Sequence, residues 1–492
     1  METDESKESY SHILKYTSLF GGIQFLIILI GIVRTKLVAV ILGPSGVGLV
    51  SLFNSTITFV SNSTNLGVAV SAVKNLSESF ESGDEKRLRS DITIVRSWCF
   101  VTALIGMLLC ILFSKILNDL TFDWGDHTFH FICLSPIVAI TAIVGGEMAI
   151  LKATRRLRNL AEISIYNVIF SLIISVPVYY VWDMSGVVPC LLLTSLSQLI
   201  ITIVYSYKYY PLHMSFRCGM LRSGIPMVKL GIAFVVAGIF GSGADFAIRS
   251  YLNNAGMLET VGLYSAGYMI VMTYGGLIFS AMETDYYPRL SAENGKPTFI
   301  STVNRQCEVS LLLISPMLVG FIIAAPLILP ILYSGKFIPV VDMMQVATLA
   351  LFVRAVKLPV AYISLAKGDS MLFLTIECIF SVSIVITSIL GFRMAGLTGI
   401  GYAIVASGLL EYFVSLVLMG RKYEYRISGH VMRYMLYQFP LGIAAFVATV
   451  IFEGYVYWII GALLIILSSA ISIVILYHKT SLWKKLKEKF RL

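Results

Sequence analysis

Basic side chains stand inside stretches that are otherwise apolar, and the chemistry they suit is the binding of an anion. In FVRAVKLPVAYISL, Arg354 and Lys357 lie three residues apart, so any helix carrying them presents both on one face. Nothing in the local sequence neutralises them, and Pro359 should bend the helix or free a carbonyl. Two readings stand open. One is a cationic patch turned toward an anionic ligand; the other is snorkelling, or a salt bridge to Glu377 or Glu411 on another helix. Arg34 and Lys36 are two residues apart and point about 200° from each other, so they cannot both face one cavity. Arg34 is the stronger cavity candidate, and Lys36 suits the membrane interface better. Asp245 and Arg249 have the spacing of an intrahelical ion pair, from which Asp245 could exchange a proton or sodium ion and release Arg249. Glu147, Glu377 and Glu411 read as isolated carboxylates within apolar segments, where burial could bring them toward neutrality and couple transport to an ion. Glu147 is favoured, because Gly145 and Gly146 leave room beside it. Arg96 and Arg305 read as snorkelling anchors near helix ends.

These residues need apolar helices to hold them, and the composition supplies such helices. The 492 residues are 57% hydrophobic, only 13% charged, and have a mean hydropathy of +0.84. A water-soluble fold could not hide that much apolar surface, so the chain reads as an all-α integral membrane protein. Hydrophobic runs set against turn signals give about fourteen spans. Alternate loops collect the basic residues, among them Arg155, Arg156, Arg158, Lys208, Arg217, Arg421 and Lys422, and the tail adds Lys484, Lys485, Lys487, Lys489 and Arg491. The opposite loops carry Asp119, Asp123, Asp126, Asp183 and Glu259. That bias places the basic loops and both termini in the cytoplasm. The net charge of +9 is therefore a topology signal, and no nucleic-acid partner is expected. The seven cysteines form no CxxC pair and read as buried apolar residues rather than metal ligands or disulfides. No HExxH, P-loop or G-x-S-x-G motif occurs, so no catalytic residue, metal or cofactor is expected, and energy for any transport must come from a proton or sodium gradient or from downhill flow.

The membrane part also reads as written twice. GIVRTKLVAVILGPSGVGLVSL, from Gly31, is echoed by FAIRSYLNNAGMLETVGLYSA, from Phe246, roughly 215 residues later; each copy has an Arg, a break and then Val-Gly-Leu. Later in each copy, DMSGVVPCLLLTSLSQLIITIVYSYKYY resembles MAGLTGIGYAIVASGLLEYFVSLVLMGRKY. The expected organisation is a lobe at 1–210, a second at 211–425, and two further helices with the basic tail at 426–492.

Three stretches, LGPSGVGLVSLFN, METDYYPRLSA and PLILPILYSGKF with the following LFVRAVKLPVAYISLAKGD, resemble the polysaccharide-transport branch of the multidrug/oligosaccharidyl-lipid/polysaccharide (MOP) exporter superfamily, in particular Wzx-type O-antigen flippases. The resemblance implies two pseudo-symmetric six-helix lobes around a central cavity, plus two C-terminal helices. It implies alternating access in a bacterial inner membrane, carrying undecaprenyl-diphosphate-linked oligosaccharide units to the periplasmic leaflet, with ion antiport. It also implies membrane lipid, a polysaccharide polymerase and a chain-length regulator as partners. Cavity-lining spans in such proteins favour Arg34 and Arg249. The alternatives are a peptidoglycan-precursor flippase, a drug exporter of the same superfamily, and, from another class, a membrane polymerase or glycosyltransferase. A cation exporter should have a carboxylate-rich cavity, and a polymerase a large external loop or an acidic cluster; the sequence shows neither.

Overall fold

The computed structural model describes the backbone of residues 4–479 and, within them, all side chains except those of 4–23, 25, 218, 230, 233, 234, 280, 281 and 283–285. The basic tail around Lys484 to Arg491 lies outside the described residues. The described chain is helical throughout, with no strand. In order, the α-helices are α1 (Asp4–Thr64), α2 (Val68–Glu81), α3 (Glu85–Leu112), α4 (Ser114–Thr121), α5 (Thr128–Ala153), α6 (Leu157–Trp182), α7 (Val187–Tyr207), α8 (Cys218–Ser223), α9 (Ile225–Tyr268), α10 (Leu277–Ala292), α11 (Phe299–Leu332), α12 (Val341–Ala366), α13 (Ser370–Tyr423), α14 (Gly429–Ile451) and α15 (Gly454–Lys479).

Among the described residues, ten helical segments are long and apolar enough to cross a membrane. Four approach or exceed the length of two crossings. Leu26–Thr64, Leu157–Tyr207, Val235–Phe279 and Ser370–Tyr423 run 39, 51, 45 and 54 residues. At about 1.5 Å per residue, even the shortest is nearly twice the roughly 30 Å hydrocarbon core. Each contains a break: Gly43 (φ 64°) in α1, the short 3-10 turn Asp183–Gly186 between α6 and α7, Met257 (φ 69°) in α9, and Ala395–Gly396 in α13. Apolar side chains also face outward in number, as a lipid-solvated surface requires. In α15 the most apolar window is only 17% buried, with Ile459, Leu463, Ile466 and Ile473 exposed.

The chain divides into two compact units. One comprises Met1–Gly262 with Leu332–Ser334, the other Leu263–Ile331 with Gly335–Leu492. In the first, α3 packs on α5, α5 on α7, and α6 on α1 and α7, around a core that includes Leu52, Phe53, Phe131, Leu134 and Tyr179. In the second, α12 is the central helix, packed on α13, α10 and α14 and buried along much of its length.

Gly48 and Gly262, the central residues of the two Val-Gly-Leu copies, meet within the first unit. A Cβ on Gly48 would collide with the Leu258 carbonyl, and one on Gly262 with the Pro44 carbonyl; each would also crowd the backbone nitrogen of the other glycine. Pro44 stands four residues before Gly48 and Leu258 four before Gly262, so the contact is reciprocal. Only glycine permits backbones to approach this closely. The duplicated motif is thus a pair of matched surfaces.

Candidate functional site

The basic residues in the membrane-crossing segments divide between the two units. In the first, Arg249 on α9 makes an ion pair with Asp245, one turn earlier, and its Nε donates to Ser51 Oγ on α1 at 2.8 Å. The four-residue spacing thus produces the pairing it suggests. Asp245 keeps 37% of its side-chain surface exposed against 11% for Arg249, so the carboxylate is the solvated member. Arg34 lies elsewhere in the unit, and its Nε donates to Ser175 Oγ on α6 at 3.2 Å. That partner is neutral, and among the described residues Arg34 has no carboxylate partner. Lys36 is exposed on the same helix.

In the second unit, α12 carries Arg354 and Lys357, and α13 carries Glu377 and Glu411. Lys357 Nζ donates to Glu411 Oε2 at 2.6 Å, with Glu411 only 2% exposed and the ammonium 5.3 Å from the Phe380 ring. The interhelical salt bridge left open by the sequence is therefore formed, and Glu411 is not an isolated carboxylate. Glu377 is half-buried and within electrostatic reach of Lys357, Arg354 and Glu411. Arg354 turns toward α10, where its guanidinium carbon lies 5.2 Å over the Phe279 ring, a cation–π contact. Among the described residues it has no anionic partner. A widened π turn, Met269–Tyr274, followed by Gly275 and Gly276, opens the helix beside it; a Cβ on Gly276 would lie 3.4 Å from Arg354 Nη1. Pro359 does not interrupt α12, and its carbonyl accepts the Tyr286 hydroxyl at 2.9 Å.

Two expectations are corrected by this geometry. Arg96 is no snorkelling anchor; it is 3% exposed and bonded to Glu147, Nε to Oε1 at 2.8 Å and Nη2 to Oε2 at 2.9 Å. Glu147, expected to stand alone, is therefore held in a bidentate ion pair. It also accepts from Ser206 Oγ at 2.5 Å, while Arg96 donates to the carbonyls of Tyr210 and Pro211, each at 2.8 Å, and stacks near the Tyr207 ring. The cluster clamps α3, α5, α7 and the segment that leads to α8. A fork–fork pair that also caps two orphan carbonyls is how a buried arginine is fully satisfied. The room beside Gly146 is taken by Cys99 on α3, since a Cβ there would meet its Sγ. Sequence reasoning also passed over Ser51 and Ser175, small hydroxyl residues inside apolar runs that carry no signal of their own.

Residues 13–293 match the family described as polysaccharide biosynthesis protein. No curated protein matches the chain. Among solved structures, a lipid II flippase, MurJ, in an inward closed conformation shares the fold with a TM-score of 0.65 at 15% identity, over 94% of this chain and 99% of that one. An inward-facing multidrug resistance MATE transporter of the MOP superfamily gives 0.65 at 15% identity, over 84% and 95%. A MOP-superfamily transporter from Pyrococcus furiosus, described as having a binding pocket of reversed polarity, gives 0.56 at 14% identity, over 82% and 92%. The chain has the all-helical fold of these transporters.

Proposed function

Since the chain belongs to the polysaccharide biosynthesis protein family, we propose that it is a flippase that moves undecaprenyl-diphosphate-linked oligosaccharide units across the bacterial inner membrane by alternating access. The observation that carries this reading is that two arginines in apolar helices have, among the described residues, no carboxylate in direct contact: Arg34 bonds a neutral hydroxyl and Arg354 lies on an aromatic face. A guanidinium at a helix centre costs about 2.5–3.5 kcal/mol on insertion scales. Its planar fork suits diphosphate oxygens, and a polyprenyl tail need never leave the lipid. The transporter has only to shelter the polar head.

In this reading each of the four broken helical segments crosses twice, giving fourteen crossings, with the basic loops and both termini in the cytoplasm. The resemblance to the superfamily implies a central cavity in such a transporter, and Arg34, Arg249, Arg354 and Lys357 are the candidates for its positive charge, with Lys36 the candidate for its outer margin. Asp245 and Glu411 hold Arg249 and Lys357 until the diphosphate displaces them or a proton or sodium ion releases them, and Glu377 is the further titratable group beside that cluster. Glu147 takes a structural part in this scheme. The cargo would pass to a polymerase and chain-length regulator on the far side.

A peptidoglycan-precursor flippase is the second reading, supported by the 94% coverage of this chain by the lipid II flippase fold. Both cargoes present a diphosphate, so the same residues would serve. Leaflet-resolved detection of lipid-linked sugar in cells lacking the protein separates flipping from polymerisation. Units that accumulate on the cytoplasmic leaflet support the flippase, and single external units without polymer contradict it.

A further inference from the structure

Where α3 begins and α7 ends, a cavity of about 500 Å³ opens in the first unit. Its walls come from the turn before α3, the first turns of α3, the corner before α6 and the segment after α7. α3, α6 and α7 belong to segments long and apolar enough to cross a membrane, so the cavity stands where crossings end and lipid headgroups lie. Leu88 and Ile92, both buried, give it apolar surface, and Tyr209 and Tyr210 give it aromatic surface. Most of its charged groups are engaged. Arg96 is bonded to Glu147 and to two carbonyls, and Arg89 reaches Glu85 at 3.5 Å. Two groups retain open bonding positions. The Arg156 guanidinium lies 4.2 Å over the Tyr209 ring and, among the described residues, has no carboxylate partner. Asp84 caps α3 through Oδ1 alone, which accepts the Lys86 and Arg87 backbone N–H groups at 3.0 Å. Its Oδ2 has no partner among the described residues. Arg155, next to Arg156, pairs with Glu81, three residues before Asp84, and this ion pair ties the two walls together.

We propose that this cavity binds a phosphoethanolamine group, with its phosphate on Arg156 and its ammonium on Asp84. The ligand must bring an acceptor to one wall and a donor to the other, and this group carries both, two carbons apart. A guanidinium held flat against an aromatic ring presents its N–H edge to phosphate oxygens. The carboxylate oxygen that the helix cap leaves open suits an N–H donor. Phosphatidylglycerol has no cation and phosphatidylcholine no N–H, so neither satisfies both groups. The source is a phospholipid headgroup or a soluble ester of the same group. Tyr209 and Tyr210 belong to the segment joining α7 to α8, so a bound headgroup would fasten that segment to α3. The site is independent of the transported cargo.

Native mass spectrometry of the full chain, titrated with phosphatidylethanolamine, phosphatidylcholine and phosphatidylglycerol, tests this. The wild type should retain one phosphatidylethanolamine in preference to the other two lipids. Arg156→Gln should weaken that binding about tenfold, the worth of one charge-assisted contact. Asp84→Asn keeps a capping oxygen and should erase the preference for phosphatidylethanolamine. Both side chains are exposed, and an unshifted melting midpoint in lipid-free detergent checks that each variant is folded. Amide exchange across residues 208–214 should slow when phosphatidylethanolamine is added to the wild type, and should not slow in Arg156→Gln. Competition by glycerophosphoethanolamine at matched concentration identifies a soluble source, and its failure to compete identifies the lipid. Three outcomes would overturn the proposal: equal retention of the three lipids, unchanged retention in Arg156→Gln, or a preference that survives Asp84→Asn.

Discussion

Replacing Glu147 by glutamine separates a structural role from an ion-coupling one. Glu147 and Arg96 are both nearly sealed from solvent, with side chains 3% and 2% exposed, and they meet through two contacts of 2.8 and 2.9 Å. Two unit charges about 4 Å apart interact with about 4 kcal/mol at an effective dielectric of 20. The glutamine keeps an oxygen for one N–H but turns an NH₂ group toward the other. Arg96 then retains the Tyr210 and Pro211 carbonyls and loses its counter-charge. Breaking one side of such a pair costs about 3–5 kcal/mol. Thermal unfolding of purified protein, read as a double-mutant cycle with Arg96→Met, checks the number. Each single change should destabilise strongly. The Arg96→Met, Glu147→Gln double variant should be more stable than either, because it removes both charges together. A cost below about 1 kcal/mol for Glu147→Gln, or altered proton or sodium dependence of transport by the folded variant, would refute a structural role. The latter result would return Glu147 to the ion-coupling group.

Other outcomes follow from the same geometry. Gly48→Ala and Gly262→Ala should each cut the yield of folded protein or arrest transport, because the added Cβ meets backbone; Gly408→Ala, with open space around it, should be neutral in the same expression and transport assays. Lys357→Gln should lower the melting midpoint more than Arg354→Gln, since it strands the buried Glu411, and equal shifts would place Glu411 outside the pair. Burial, with His130 alongside, holds the His127 imidazole below its ordinary range; Asp126 opposes this, and Phe122 and Trp124 pack on the ring. The unfolded segment therefore takes up the proton first as pH falls through about 6.5, and the folded loop loses stability in that window. Amide exchange across residues 113–131 should quicken on acidification, and His127→Gln should remove the pH dependence. Lys422, then Tyr423, bond to the Asp369 carboxylate at the start of α13 and hold its pKa below the ordinary carboxylate value. Its contribution is present above that ordinary value and lost as pH falls toward the depressed one, so Asp369→Asn should flatten the acid side of the stability profile.

Much of the fold was legible because membrane solvation makes the signal strong. Long apolar runs and a repeated Val-Gly-Leu each follow from local composition. The reciprocal meeting of Gly48 with Gly262 was not, since two matching stretches of sequence do not say that they touch. The site was legible only in part. Spacing found Asp245 with Arg249, because both lie on one helix. It did not find Arg96 with Glu147, 51 positions apart, and for Lys357 it left Glu411, 54 apart, open beside Glu377. Interhelical pairing leaves no periodic trace, so a buried arginine near a helix end looks the same as one that snorkels. The serine partners of Arg34 and Arg249 were invisible for the same reason, as membrane helices use serine widely for packing.

The central claim is that unbalanced positive charge inside the membrane helices engages a diphosphate head. Its most direct test is leaflet-resolved transport of lipid-linked oligosaccharide in cells whose only copy carries Arg354→Gln, with folded protein at wild-type level. The account predicts that sugar accumulates on the inner leaflet and that Arg354→Lys restores flux in part. Wild-type flux through the glutamine variant would contradict it.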